Sequence, residues 1–171
     1  MPDPTIILRA VLADITELDV ECVVNAANTT LLGGGGVDGA IHDAAGPELF
    51  EVCERLGGCD VGDAKITPGF KLKARYIIHA VGPIWRGGSH GEAQLLAACY
   101  RRSFELAAKD QITSIAFPSI STGAFGYPIE LAAPVAISEA RSFASRQIAP
   151  RDIIFCCFSS EDFDLYMKLL D

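Results

Sequence analysis

Short apolar runs alternate with longer amphipathic stretches along most of the chain. The apolar runs predict β-strands at 6–12, 20–24, 65–67, 76–81, 113–117 and 152–158. The amphipathic stretches predict helices from about Asp38 to Gly46, from Pro47 to Gly57, over 92–108 and 129–145, and through 166–170 after a serine cap. This alternation is typical of an α/β domain with a mostly parallel or mixed sheet and helices on both faces. Ligands are then expected beyond the carboxyl ends of the strands.

The composition fits one domain over residues 1–171, because 171 residues at 50% hydrophobic can bury a core. A net charge of -8 argues against a broad basic surface for nucleic-acid backbones, although an anion site built from amides needs no lysine. The six cysteines contain no Cys-x-x-Cys pair, and most lie in apolar runs, which indicates reduced, buried thiols. The sequence shows no leader-like start and no long apolar run. We therefore expect a cytoplasmic protein without a membrane partner.

The segment 25–42 carries the most chemical information. It has the sequence NAANTTLLGGGGVDGAIH and follows the second predicted strand. Glycine has no Cβ, so residues 33–36 can turn several backbone N–H groups toward one anion at the start of a helix. Asn28 precedes the glycines, Asp38 follows them, and His42 lies one helical turn after Asp38. We expect the amide, the carboxylate and the imidazole to lie at the opening of one binding site.

Two further loops follow predicted strands and can reach the same crevice. The first contains Asp14 and Ile15, and the second is PSISTGAFGYP at 118–128. The second loop again exposes backbone N–H groups through small residues and glycines. Two such loops suit a nucleotide diphosphate better than a single inorganic phosphate.

Each of these features also has a plain structural interpretation. The four glycines are compatible with a flexible turn, and Asp38 with a helix N-cap. Asn25 is expected to satisfy the loop backbone rather than to contact a ligand. Asp14 is compatible with a simple turn residue, and Phe125 and Phe158 with core aromatics.

The histidines give no sign of a metal site in the sequence. His79 lies inside a predicted strand and is expected in the core, whereas His90 is expected in a loop. None of the histidines has a metal partner at useful spacing along the chain. We therefore expect no metal and no other cofactor.

Three other functional motifs were compared with the sequence, and none of them fits. The glycine loop formally satisfies G-x-G-x-x-G, but the acidic residue expected about twenty positions later, Glu54, falls inside a predicted helix. Ser121 is not a nucleophile elbow, because Ser119 occupies the place of the first glycine in G-x-S-x-G. The phosphate-binding motif G-x-x-x-x-G-K-[ST] does not occur. A dehydrogenase, a serine hydrolase and a nucleotide kinase are therefore disfavoured.

Four segments together resemble the signature of the macrodomain family: 24–28, 33–42, 80–83 and 121–128. They are most similar to the MacroD-type branch, which includes bacterial O-acetyl-ADP-ribose deacetylases and mono-ADP-ribosyl hydrolases. The string from the glycines to His42 is the specific part. The resemblance implies a three-layer α/β/α sandwich with a mixed, mostly parallel central sheet that holds ADP-ribose across its top. It implies no metal, and the glycine loop lacks the cysteine or histidine of the zinc-dependent variant.

The resemblance also assigns expected roles to individual residues. Asp14 would accept a hydrogen bond from the adenine amino group, with the Ile15 amide and Phe158 against the ring. Main-chain N–H groups of two loops would hold the diphosphate: Gly34, Gly35, Gly36 and Val37 in one loop, and Ser121, Thr122, Gly123, Ala124 and Phe125 in the other. Phe125 would also cover the distal sugar.

The implied reaction is hydrolysis of an ester on the distal ribose. Asn28 would bind this ribose, Asp38 would orient or deprotonate the attacking water, and His42 would support them. A neighbouring diphosphate should raise the pKa of Asp38 through like-charge repulsion, and a substrate phosphate remains an alternative base. Asp43 stands where the branch commonly has a basic residue.

The implied partners are ADP-ribose and its esters, mono-ADP-ribosylated proteins and, as a further class, ADP-ribosylated nucleic-acid ends. Two alternatives stay open for the function. One is a non-catalytic reader of ADP-ribose, and the other is an ADP-ribose 1''-phosphate phosphatase.

Overall fold

Strands and helices alternate along residues 5–148 and 150–171, which are the residues that the computed structural model describes. The strands are β1 (Ile7–Leu12), β2 (Cys22–Ala27), β3 (Ala64–Pro68), β4 (Tyr76–Val81), β5 (Ser114–Phe117) and β6 (Asp152–Cys157). The helices are α1 (Gly36–Ala45), α2 (Pro47–Leu56), α3 (Glu92–Lys109), α4 (Ile129–Ser145) and α5 (Ser160–Leu170). A short 3-10 helix, Ile15–Glu17, follows β1 and was not predicted.

The strands form one mixed sheet in the order β1-β6-β5-β2-β4-β3. Neighbouring strands are parallel except for the edge strand β3, which runs antiparallel to β4. Alternate strand residues face opposite sides, so that Val24 packs with the core under α3, α4 and α5, and Val23 with the core under α1 and α2. The predicted α/β class and the three-layer α/β/α sandwich are confirmed.

The central strand β2 differs from its prediction. We expected it at 20–24, but it covers Cys22–Ala27, and Asn25 therefore lies inside the strand. Asparagine normally favours turns, because its side chain competes for backbone hydrogen bonds. Here the Asn25 side chain is fully buried and hydrogen-bonded to Asp38 and His79, so the interpretation of Asn25 as a loop residue was wrong.

Helix α1 starts two residues before the predicted position. Gly35 occupies its N-cap, and Asp38 lies in its first turn. Asp38 is therefore not the N-cap that the sequence left open as an alternative. The predicted bounds of most other strands and helices lie within one or two residues of the observed ones.

The parallel strands place the predicted site loops together. Strands β1, β2, β4, β5 and β6 run in one direction, so the segments that follow them leave the same edge of the sheet. These segments include both predicted anion loops and the turn that contains Asp14. The loop 82–91 after β4 also leaves this edge. In the described ranges, no helix is both long and apolar enough to cross a bilayer.

Candidate active site

Asp38 is a buried carboxylate in the first turn of α1. Its residue is 5% exposed, and its Oδ1 accepts a hydrogen bond of 2.8 Å from Asn25 Nδ2. His42 Nε2 lies 3.5 Å from the same oxygen. Burial raises the pKa of Asp38, while the hydrogen bond from Asn25 and the proximity of His42 oppose that rise. The site therefore holds a carboxylate that is more basic than an ordinary aspartate.

The backbone of the glycine loop lies close to the Asp38 side chain. A β-carbon on Gly34 would lie 3.3 Å from Asp38 Oδ2 and 3.5 Å from Asn28 Nδ2, so a larger residue would press on both side chains. By contrast, no described atom lies within 4 Å of the β-carbon positions of Gly35 and Gly36. Backbone N–H groups in the first turn of a helix have no intrahelical partner. The loop thus pairs a close approach to Asp38 with an open side on which an anion can bind.

Asn28 orders the turn that precedes the glycines. Its Nδ2 donates to the Gly33 carbonyl at 3.0 Å, and its Oδ1 accepts from the Thr30 backbone N–H at 3.0 Å. The Thr30 hydroxyl donates to the same oxygen. The predicted contact of Asn28 with a ribose stays a prediction. Its observed hydrogen bonds hold the turn that leads into the glycine loop.

The second predicted loop is held in shape by the loop after β4. Ser121 adopts a left-handed backbone conformation, with φ of 69°, and is buried. The Trp85 backbone N–H donates to the Phe125 carbonyl at 2.8 Å, and the Trp85 and Tyr127 rings lie 4.6 Å apart. Gly123 is exposed, and no described atom lies within 4 Å of its β-carbon position. Its neighbour Ala124 is also exposed, so the tip of this loop is open to a ligand.

The predicted adenine side contains Asp14, Ile15 and Phe158. Asp14 Oδ1 accepts from the Thr16 N–H at 3.0 Å and from its hydroxyl at 2.7 Å, which caps the 3-10 helix. Ile15 is buried, whereas Phe158 is 94% exposed just after β6. The alternative of a core aromatic is therefore wrong for Phe158. The Ala13 N–H donates to Cys157 O at 3.2 Å, which keeps Asp14 and Phe158 close together.

A polar cluster that the sequence did not predict lies behind Asp38. His42, Cys53 and His79 bring potential metal-ligand atoms within 4.8 Å of one another. The expectation that no histidine has a metal partner concerned spacing along the chain, whereas the fold brings these three side chains together from separate segments. His79 itself is fully buried, as predicted for a core residue.

Within this cluster, hydrogen bonds occupy both ring nitrogens of His79. His79 Nδ1 lies 3.1 Å from Asn25 Nδ2, and His79 Nε2 lies 3.0 Å from Thr67 Oγ1. Burial lowers the pKa of His79 to about 3 and raises the pKa of Cys53 to about 11. A metal would therefore have to displace a hydrogen bond and a thiol proton. The sequence signal was available, since Asn25 and His79 interrupt apolar strands.

The sheet, the two layers of helices and the loops at the carboxyl edge define a class of three-layer α/β/α domains that bind ligands at that edge. A family model described as Macro domain matches residues 24–136. The chain therefore belongs to the macro domain family, which confirms the resemblance seen in the sequence.

Two relatives illustrate what is known of similar chains. A macro domain-containing protein of Chlorobaculum tepidum is 57% identical over 170 residues, covering 99% of this chain and 98% of the relative. A protein of Salmonella typhimurium named O-acetyl-ADP-ribose deacetylase is 49% identical over 167 residues, covering 95% of this chain and 93% of the relative.

Solved structures show the same fold. The macrodomain of Oceanobacillus iheyensis with ADP has a TM-score of 0.90 at 43% identity, covering 95% of this chain and 89% of that one. The macrodomain of Trypanosoma brucei in complex with ADP-ribose also has a TM-score of 0.90, at 39% identity, covering 96% of this chain and 69% of that one. The protein thus has the macrodomain fold.

Proposed function

We propose that this protein is a hydrolase of ADP-ribose esters. It removes mono-ADP-ribose from acidic side chains of proteins and deacetylates O-acetyl-ADP-ribose, and it releases ADP-ribose in both reactions. The observation that carries the proposal is the buried Asp38 carboxylate beside the glycine loop. The Salmonella typhimurium relative named as a deacetylase supports the same reaction class.

Binding in this proposal relies on main-chain amides. The glycine loop and the first turn of α1 offer N–H groups to one face of the diphosphate, and the loop around Gly123 offers them to the other. The open β-carbon positions of Gly35 and Gly123 leave room for the phosphates. Such a site does not depend on basic side chains, which agrees with a chain of net charge -8.

The chemistry needs one oriented water. Its oxygen adds to the acyl carbon of the ester, the bond from that carbon to the ribose oxygen breaks, and the ribose oxygen takes up a proton. Asp38 lies beside the glycine loop and is more basic than an exposed aspartate, because burial raises its pKa. It can therefore orient this water and accept its proton. Asn28 and His42 support the ribose and the carboxylate.

The proposal is tested by ADP-ribose release from three substrates. These are O-acetyl-ADP-ribose, a protein mono-ADP-ribosylated on glutamate, and an oligonucleotide with an ADP-ribosylated terminal phosphate. We expect release from the first two, and a loss of about 100-fold or more in kcat for Asp38→Asn. Asp164→Asn is the matched control, because Asp164 is exposed on α5, on the opposite face of the sheet.

Calorimetry of ADP-ribose binding separates the possible outcomes. Tight binding without release from any ester would favour the reader. Phosphate release from ADP-ribose 1''-phosphate, with no ester cleavage, would favour the phosphatase.

A further inference from the structure

A continuous series of buried hydrogen bonds leads from Asp38 across the face of the sheet that packs against α1 and α2. Asn25 Nδ2 donates to Asp38 Oδ1 at 2.8 Å and lies 3.1 Å from His79 Nδ1. On the other side of the imidazole, His79 Nε2 lies 3.0 Å from Thr67 Oγ1, and the Thr67 hydroxyl donates to the Pro68 carbonyl at 3.1 Å. Asn25 and His79 are 0% exposed and Thr67 is 3% exposed. The series connects three neighbouring strands to α1.

The donors and acceptors of this series fix the proton positions. An amide nitrogen only donates, and the two hydrogens of Asn25 Nδ2 point to Asp38 Oδ1 and to His79 Nδ1. His79 Nδ1 must then carry no proton. Since a neutral imidazole has one N–H group, that group is Nε2–H, and it donates to Thr67 Oγ1. The Thr67 hydroxyl is free to accept, because its own proton is donated to Pro68 O.

The opposite arrangement conflicts with the buried carboxylate. If His79 carried its proton on Nδ1, the Asn25 amide would have to turn its oxygen toward that proton. With Asp38 ionised, the same oxygen would then face Asp38 Oδ1, and two acceptors would meet without a proton between them. His42, whose Nε2 lies 3.5 Å from Asp38 Oδ1, is a separate neighbour of the carboxylate. Cys53 Sγ, 3.9 Å from His79 Nε2, is the other titratable group beside the ring.

We propose that His79 is a positioning residue for the reaction. Its Nε2–H tautomer, fixed by Thr67, holds the Asn25 amide in the orientation that donates to Asp38. This hydrogen bond keeps the carboxylate in place and favours its ionised form in a buried position. This inference rests on the proposed function, in which Asp38 acts beside the ester.

Two substitutions of His79 separate positioning from a purely structural role. In His79→Asn, the side-chain oxygen can occupy the place of Nδ1 and still accept from Asn25. In His79→Gln, the amide nitrogen can occupy the place of Nε2 and still donate to Thr67, but the acceptor for Asn25 is lost. Both variants remove the imidazole and leave a polar amide in the core. A structural role alone would affect both in the same way.

The first measurement is nitrogen NMR of the histidine-labelled wild-type protein. We expect His79 as the Nε2–H tautomer with an unprotonated Nδ1 at neutral pH. An Nδ1–H tautomer or an imidazolium would overturn the inference. This measurement does not depend on turnover, so it stands even if the protein hydrolyses none of the esters and the proposed function fails.

The second measurement compares ester hydrolysis by the variants. We expect kcat of His79→Gln to be about tenfold or more below that of His79→Asn, with KM and the affinity for ADP-ribose unchanged. Carbon NMR should show a higher pKa of Asp38 in His79→Gln, because the opposing hydrogen bond is lost. Equal kcat values and equal Asp38 titration in the two variants would contradict the inference.

A second pair of variants covers the case in which the His79 variants do not fold. Thr67→Val keeps the shape of the side chain but removes the hydroxyl that accepts from His79, whereas Thr67→Ser keeps the hydroxyl. We expect Thr67→Val to lower the share of the Nε2–H tautomer and kcat together, and Thr67→Ser to restore both. A Thr67→Val variant with the wild-type tautomer and kcat would count against the proposed positioning role of His79.

Discussion

Gly82 lies so close to Ser121 that a β-carbon on Gly82 would overlap the Ser121 hydroxyl oxygen. Gly82 begins the loop that follows β4, and Ser121 lies in the second predicted anion loop, where it adopts a φ of 69°. The Ser121 hydroxyl has no hydrogen-bond partner among the described residues, so close packing and not hydrogen bonding holds its side chain. The loop after β4 therefore determines where the second loop sits at the edge of the sheet.

Gly82→Ala should move this second loop and weaken ADP-ribose binding. The added methyl group must displace Ser121, because the two side chains cannot share the space. We expect a cost of about 1–3 kcal/mol in the free energy of unfolding. We also expect a loss of about tenfold or more in calorimetric affinity, since small displacements of binding groups are costly.

Gly69→Ala is the matched control for this change. A β-carbon on Gly69 would overlap the Ala74 backbone carbonyl, which yields less easily than a side chain, but Gly69 follows the antiparallel strand β3 at the opposite edge of the sheet. It should lose stability and keep its affinity for ADP-ribose. Normal affinity in Gly82→Ala would show that the second loop does not hold the ligand.

Glu92 should stabilise the loop after β4 in a pH-dependent way. Its carboxylate is 1% exposed and accepts hydrogen bonds from the backbone N–H groups of Arg86, Gly88 and His90, at 2.9, 2.9 and 2.6 Å. Burial alone would raise the pKa of Glu92, but these hydrogen bonds outweigh it and hold the pKa at about 2. The folded state therefore favours the ionised carboxylate.

Because the folded pKa is depressed, the stabilisation by Glu92 is complete above its ordinary pKa of 4.5 and is lost as the pH falls toward about 2. Glu92→Gln should thus lower the free energy of unfolding at neutral pH, and the difference from wild type should narrow in acid. Chemical denaturation at several pH values measures this. Glu105→Gln, on an exposed position of α3, should show no such narrowing. A constant difference for Glu92→Gln across the acid range would refute the assignment.

The amphipathic and apolar patterns predicted most of the fold. Each helix and strand buries one face, and the spacing of its apolar residues along the sequence shows which face that is. The patterns failed where a polar residue is buried for a specific partner. Asn25 has the chemistry of a turn residue, yet it lies in β2, where Asp38 and His79 are hydrogen-bond partners of its amide nitrogen. No rule of local spacing could join residues 25, 38 and 79, which only the parallel register of β2 and β4 and the packing of α1 bring together.

The candidate site residues in loops are easier to recognise in the sequence than the residues that hold these loops in place. The glycines around Asp38 stand out in the sequence, because glycine runs before a helix suggest close backbone approach. No sequence pattern marks Gly82 and Trp85 as residues that hold a site loop, although the Trp85 backbone N–H donates to Phe125 O. Their importance comes from contact between loops that follow different strands.

Gly123→Glu should prevent ADP-ribose binding while leaving the fold intact. The β-carbon position of Gly123 has no neighbour within 4 Å in the described part of the chain, so a longer side chain can be accommodated. Its carboxylate would lie against the proposed diphosphate and repel it. Gly123→Gln has nearly the same size without the charge, and it should retain much more affinity by calorimetry. Equal losses in the two variants would assign the effect to bulk, and unchanged affinity in Gly123→Glu would remove this loop from the site.

Asp38→Asn should lower kcat of the proposed hydrolysis by about 100-fold or more and should make the protein more stable at neutral pH. Burial raises the pKa of Asp38, so the folded state favours the protonated form, and keeping the carboxylate ionised costs stability. This cost is absent below the unfolded pKa and appears as the pH rises through the folded pKa. The asparagine can still accept from Asn25 Nδ2 but carries no charge.

The gain in the free energy of unfolding should therefore be largest at neutral pH and shrink in acid, unlike the effect of Asp164→Asn at an exposed position of α5. An Asp38→Asn variant that is less stable than wild type at neutral pH would mean that the ionised carboxylate stabilises the fold.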